Sequence, residues 1–132
     1  MRSRRSAGSH GTVLVVDADD TLRRIVRKWL ESREYLVLDA DEAGEAARIA
    51  RLFVGPIHLV LLEVPQPAAA GRELAESLRA THAESQMIYT SMRPPAELVR
   101  RRELASGQPF LRKPFSEEHL LFRIAEVLAK PA

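Results

Sequence analysis

Four short stretches hold the residues whose types and spacing could do chemistry. "VVDADD" places Asp17, Asp19 and Asp20 directly after an apolar run, and "LVLLEVPQP" ends a second run on Glu63. "QMIYTS" closes on the hydroxyls of Thr90 and Ser91, and "FLRKPF" carries Lys113. An apolar run that ends in an acid delivers it to the loop at a strand tip, where water or a ligand can meet it. Glu63 could serve chemistry there or be a charge held in place. The choice depends on which elements bring these positions together.

Each polar position follows a run with the aliphatic, β-branched character of a buried strand: "TVLVV", "IHLVLLE", "QMIYTS" and "PFLR", with "YLVLDA" as a further strand over 35–40. Helical patterns fill the gaps. In "DDTLRRIVRKWLES", Leu22, Ile25, Val26, Trp29 and Leu30 share one face, with Trp29 in the core stripe and Asp19 or Asp20 as the cap. Asp41 is the expected cap of "DEAGEAARIARLF", which Gly55 and Pro56 bring to an end. A third helix is expected over 72–80. Pro94 and Pro95 suit the first turn of a fourth, "PAELVRRRELAS". Ser116 caps a fifth, with Leu120, Leu121, Ile124, Val127 and Leu128 on one face. Strand and helix alternate five times, which predicts parallel pairing through right-handed crossovers. The result is an α/β three-layer sandwich, (βα)5, with a five-stranded parallel sheet and helices on both faces. Ligands of such sheets sit beyond the carboxyl ends of the strands. Asp17, Asp19, Asp20, Glu63, Thr90, Ser91 and Lys113 all belong to that edge.

Composition narrows the function classes. At 132 residues, 45% hydrophobic and 29% charged, the chain has the make-up of one globular domain. No apolar run approaches the roughly 20 residues of a membrane-spanning helix. The start "MRSRRSAGSHG" is basic but has no apolar core after it, so it is not a secretory signal. Zero cysteines exclude disulfides and cysteine-ligated zinc, and fit a cytoplasmic protein. The net charge of +2 comes from Arg2, Arg4 and Arg5, because the remainder has 17 bases against 18 acids. Residues 1–11 thus read as a basic flexible tail and 12–130 as the folded domain. His10, His58, His82 and His119 lack metal-ligand spacing, and there is no glycine-rich phosphate loop. No His–carboxylate–nucleophile set can be assembled on the sheet edge, so an enzyme is not expected. A nucleic-acid role would rest on the tail and helix-four arginines alone, without an aromatic platform or a helix-turn-helix.

Taken together and in order, "VLVVDADDTLRRIVRKWL", "HLVLLEVPQPAAAG" and "LASGQPFLRKPF" resemble the receiver domain of two-component response regulators. The resemblance covers about residues 12 to 130 and implies a flavodoxin-like fold. In that family an aspartate ending strand three accepts a phosphoryl group from a histidine kinase. Two acids ending strand one hold Mg²⁺, and a Ser or Thr ending strand four joins a lysine in binding the phosphoryl oxygens. By this resemblance Lys113 in "KPF" is the lysine, Ser91 the hydroxyl and Asp17 the first acid. Phe110 stands for the aromatic that swings with the switch. The resemblance also implies a cis bond before Pro114, which X-Pro bonds allow at small cost.

Three positions depart from the pattern. The second acid of the metal pair is Ala18, the phosphoacceptor is Glu63, and two residues beyond it stands Pro65. Glutamate carries its carboxylate outward by roughly 1.3 to 1.5 Å, the length of one backbone bond, and a misplacement near 1 Å can cost on the order of 10²-fold in phosphoryl transfer. Without a carboxylate at 18, Mg²⁺ is expected to be held weakly or not at all, by Asp17 and Glu63, with Asp19 as a substitute ligand. Pro65 has no N–H to give the transferring group, and one such donor is worth about 3 kcal/mol in a catalytic site.

These departures predict an atypical receiver that signals by protein–protein interaction without phosphorylation. Glu63 would either reach toward Lys113 and Ser91 and hold Lys113 in place, or stand as a solvated acid in a decayed site with no switching role. The alternative is a working phospho-receiver with a substituted Mg²⁺-dependent site. The resemblance implies a partner face built from helix four, strand five and helix five. It would carry "ELVRRREL" and Phe110, with Arg100, Arg101 and Arg102 as a docking patch for an acidic partner, or pair two copies of the chain. No cofactor is expected.

Overall fold

A computed structural model describes residues 10–65 and 67–130. The arginines of the expected tail, Arg2, Arg4 and Arg5, lie outside the described residues. Five strands form one parallel sheet in the order β2-β1-β3-β4-β5. They are β1 (Gly11–Val16), β2 (Tyr35–Ala40), β3 (Leu59–Glu63), β4 (Gln86–Ser91) and β5 (Phe110–Arg112). The most uniformly aliphatic runs, β1 and β3, occupy central places, where both faces of a strand are covered.

Alternation along the strands divides the core. Val13, Val15, Leu59, Leu61, Ile88 and Leu111 face α1 (Asp20–Glu31) and α5 (Glu117–Leu128), whose Val26, Leu30, Leu120 and Ile124 pack on them. Leu14, Val16, Val60 and Leu62 face α2 (Ala43–Leu52) and α3 (Ala69–Thr81). The alanine face of α2 lets it lie close to α3 and the sheet. A third, smaller cluster, Val64, Leu98 and Leu104, lies under α4 (Pro95–Arg100), with Tyr89, Val99 and Phe110 against it. Each fully buried leucine contributes roughly 1.5–3 kcal/mol, so the α4 corner is the weakest part of the core. Trp29 lies on the α1 stripe and meets Phe115 edge to face at 6.5 Å.

Several local expectations are corrected. The cap of α2 is Glu42, whose carboxylate accepts the N–H groups of Gly44 and Glu45 at 2.7 and 2.9 Å; Asp41 stands one residue too early to reach them. The third helix starts at Ala69 rather than 72, and β3 starts at Leu59 rather than 57. His10 and Gly11, placed in the tail, join the sheet edge: Gly11 pairs with Tyr35 and the His10 N–H donates to Glu34 O at 3.1 Å. The largest difference is in α4, which stops at Arg100 instead of running through "RRELAS". Arg102 turns left-handed at φ 62°, and Glu103 N–H closes back on Leu98 O at 2.8 Å. A turn of this kind ends a helix by satisfying its last carbonyls. The arginine triple is consequently split, with Arg100 on the helix, Arg101 paired to Glu103 at 3.4 Å and Arg102 beyond the turn.

Candidate functional site

Strand register brings the site together. Val16 pairs with Leu62, Glu63 with Thr90, and Ser91 with Arg112, so Asp17, Glu63, Ser91 and Lys113 emerge at neighbouring strand tips. Asp17 continues the Val13–Val15 side of β1, and Glu63 the Leu59–Leu61 side of β3. Their carboxylates therefore project from the same face, toward the residue after β5.

That residue is Lys113. Its Nζ lies 2.7 Å from Asp17 Oδ2 and 2.9 Å from Glu63 Oε2, with a cis bond following to Pro114. The other oxygen of Glu63 accepts a long, weak hydrogen bond from Ala18 N–H at 3.3 Å. Asp17 Oδ1 accepts from Asp19 N–H at 2.8 Å. Side-chain exposure grades the three: Asp17 7%, Lys113 10%, Glu63 37%. Burial pushes the Asp17 carboxyl above its ordinary range, against the opposing pull of Lys113 and the Asp19 N–H. Burial also lowers Lys113, but hydrogen bonds and charge from Asp17 and Glu63 together outweigh it and raise the ammonium above its ordinary value. The Glu63 carboxylate thus touches both the lysine and the β1 loop.

The other sequence-predicted residues stand apart from this triad. Asp19 is turned away, its Oδ1 accepting Leu22 N–H at 3.1 Å as the cap of α1. The buried Ser91 hydroxyl accepts Arg93 N–H at 3.0 Å, and Ser91 O accepts Lys113 N–H at 2.9 Å. Phe110 is half-buried against the cluster under α4. Two arginines were not anticipated. Arg23 donates to Asp17 O and to Asp20 Oδ1, both at 2.6 Å, and fixes the β1–α1 loop. Its three-residue spacing from Asp20 was the available signal. Arg93 forms a two-pronged pair with Glu103, joining the loop after β4 to the chain beyond α4, a contact with no local sequence mark.

Beside the triad lies a cleft of about 420 Å³ lined by Asp17, Ala18, Glu63 and Pro65, among others. Pro65 presses on the first turn of α3, where a Cβ at Gly71 would come within 3.1 Å of its ring. A Mg²⁺ ion here would have to compete with Lys113 for both carboxylates. Both carboxylates already bind an ammonium, whose charge would repel a dication, and Ala18 offers no ligand. Among the described residues no group of three or more His, Asp or Glu side chains stands where it could share a metal.

Comparison with known proteins gives the same assignment as this geometry. The family model described as the response regulator receiver domain matches residues 13–125. The chain is 32% identical over 119 residues to the sensor kinase CckA of Brucella abortus, covering 90% of this chain and 13% of that protein. It is 29% identical over 118 residues to the transcriptional regulatory protein ResD of Bacillus subtilis, covering 89% of this chain and 48% of that one. The chain thus spans about half the length of ResD and far less of CckA. Among solved structures, a response regulator receiver protein from Burkholderia phymatum superposes with a TM-score of 0.71 at 28% identity, covering 92% of this chain and 97% of that one. The chemotaxis protein CheY4 of Vibrio cholerae shares the fold with a TM-score of 0.73 at 23% identity, covering 88% and 97%. With the sheet order, the strand-tip lysine and the matched span in agreement, the chain belongs to the response regulator receiver domain family.

Proposed function

We propose that this receiver domain signals by protein–protein interaction without a phosphorylation cycle, Glu63 holding Lys113 where a receiver would place a phosphoryl oxygen. One observation carries the reading: the Lys113 ammonium lies between Asp17 and Glu63 at 2.7 and 2.9 Å. An ammonium so engaged has two of its three donors committed, and its charge met twice, before an incoming oxyanion arrives. The acid that would be the nucleophile is itself bound at both oxygens. Removing a nearly buried ammonium from its partners is costly, which holds the site in one state. Mg²⁺ binding at Asp17 and Glu63 is weak or absent, and Asp19 gives no substitute while it caps α1.

The domain is not itself an enzyme. It acts in the cytoplasm, and no helix of the described residues is long and apolar enough to cross a membrane. Its partner is a protein that docks on α4, β5 and α5. Exposed Met92 and Phe122 lie in the loop before α4 and on α5, and Arg100 supplies a charge. A second copy of the chain could occupy the same face.

The test is covalent. Incubation with Mg²⁺ and acetyl phosphate, followed by intact-mass measurement, should leave the parent chain unmodified. An added phosphoryl group that maps to Glu63 would overturn the proposal in favour of a working phospho-receiver.

A further inference from the structure

On the opposite side of the sheet from the Lys113 triad, a groove runs between α3 and the turn that ends α4. It encloses about 370 Å³ and shares no lining residue with the cleft at Glu63. That volume lies in the range of small-ligand pockets. Its walls are apolar at Ala68, Val99 and Leu104, the half-buried Tyr89 ring is another wall, and Arg72 and Arg102 border it.

Both arginines are exposed, and among the described residues neither forms an ion pair. Arg72 lines the groove from the first turn of α3. Arg102 lines the groove from a left-handed turn, φ 62°, where glycine is the ordinary choice. Glu103 also lines the groove, but Arg93 and Arg101 bind its carboxylate and meet its charge.

We infer that this groove binds a small phosphate monoester. The guanidiniums of Arg72 and Arg102 would receive the dianion, and the apolar wall its organic body. Guanidinium groups match phosphate oxygens in pairs, which suits a doubly charged group better than a single carboxylate. The inference is independent of the Glu63–Lys113 reading. It also gives the groove a route to the switch region, because Glu103, next to Arg102, is tied to Arg93 in the loop after β4.

The test is an amide NMR titration of the full chain with phenyl phosphate, with inorganic phosphate and phenol as separate arms. Phenyl phosphate should move the signals of Ala68, Arg72, Val99 and Leu104 and bind more tightly than either part alone. Arg102→Gly should weaken binding about tenfold, the loss of one charge-assisted contact. It should also raise the melting temperature, because glycine suits the left-handed turn, so weaker binding could not be blamed on unfolding. Arg72→Gln should weaken binding to a similar degree. The inference is overturned if phenyl phosphate leaves these signals unmoved, if both variants bind like the parent, or if inorganic phosphate binds equally well.

Discussion

The strand-tip triad and the α4 corner both depend on ion pairs, but they hold those pairs in different surroundings. At the triad, Asp17 and Lys113 are almost fully buried, and each finds its counter-charge within 2.7 Å. At α4, Glu103 is 13% exposed but its partners Arg93 and Arg101 are 34% and 63% exposed, and the pairs lie over a cluster of three buried side chains. The Coulomb attraction is similar, while the cost of breaking it is not. Burial turns the triad into a fixed element, and the thin packing of α4 leaves it the easier part to shift. A pliable corner thus stands next to a rigid site.

The comparison would break most visibly at Lys113. Lys113→Met leaves Asp17 buried without a counter-charge and should lower stability by about 3–5 kcal/mol in urea unfolding. A loss near the surface-pair value would mean that water reaches the triad freely. Leu98→Ala should cost about 2–3 kcal/mol, since the site is fully buried but sits in a small cluster able to relax. Hydrogen exchange should place that loss in α4 and leave β1 and β3 protected; uniform deprotection would show that α4 is not separable.

Titration sharpens the contrast further. The folded-state pKa of Lys113 is raised, so its contribution is fully present below the ordinary value of 10.5 and lost as pH rises through the higher folded value. Asp17 has the opposite consequence at the acid end. Its raised carboxyl favours the protonated folded form, so its term weakens stability as pH climbs from 3.8 through the raised value. Urea unfolding above pH 10.5 should therefore fall more steeply for the parent than for Lys113→Met. Parallel curves would contradict the buried ammonium. The smallest effect belongs to Glu103→Gln, which should change stability by no more than about 1 kcal/mol while speeding exchange in α4. A larger loss would put α4 in the same class as the triad.

Much of this could be read from residues alone, and the failures have physical reasons. Central strands announce themselves by unbroken aliphatic runs, and the acids and lysine at their ends mark the edge that carries the site. The Glu63–Lys113 contact was legible in the long acid at the end of one strand and the lysine after another. The expected contact of Glu63 with Ser91 is not formed; that hydroxyl instead accepts the Arg93 N–H across the loop after β4. The end of α4 was illegible: "RRRELAS" has no breaker before its end, and the chain turns at Arg102 in a stretch tied down by the distant Arg93–Glu103 pair. At α2, adjacent acids were equally able to cap, and backbone placement chose Glu42 over Asp41.

The central claim is that Glu63 and Lys113 leave no place for a phosphoryl group. Amide NMR spectra recorded with Mg²⁺ and beryllofluoride, a mimic of the phosphorylated state, address it most directly. The signals of Glu63, Ser91 and Lys113 should stay where they are in the parent chain, and begin to respond in Ala18→Asp/Glu63→Asp, where the missing metal ligand and the shorter acid are restored. Saturable shifts clustered on those three residues in the parent would contradict the account.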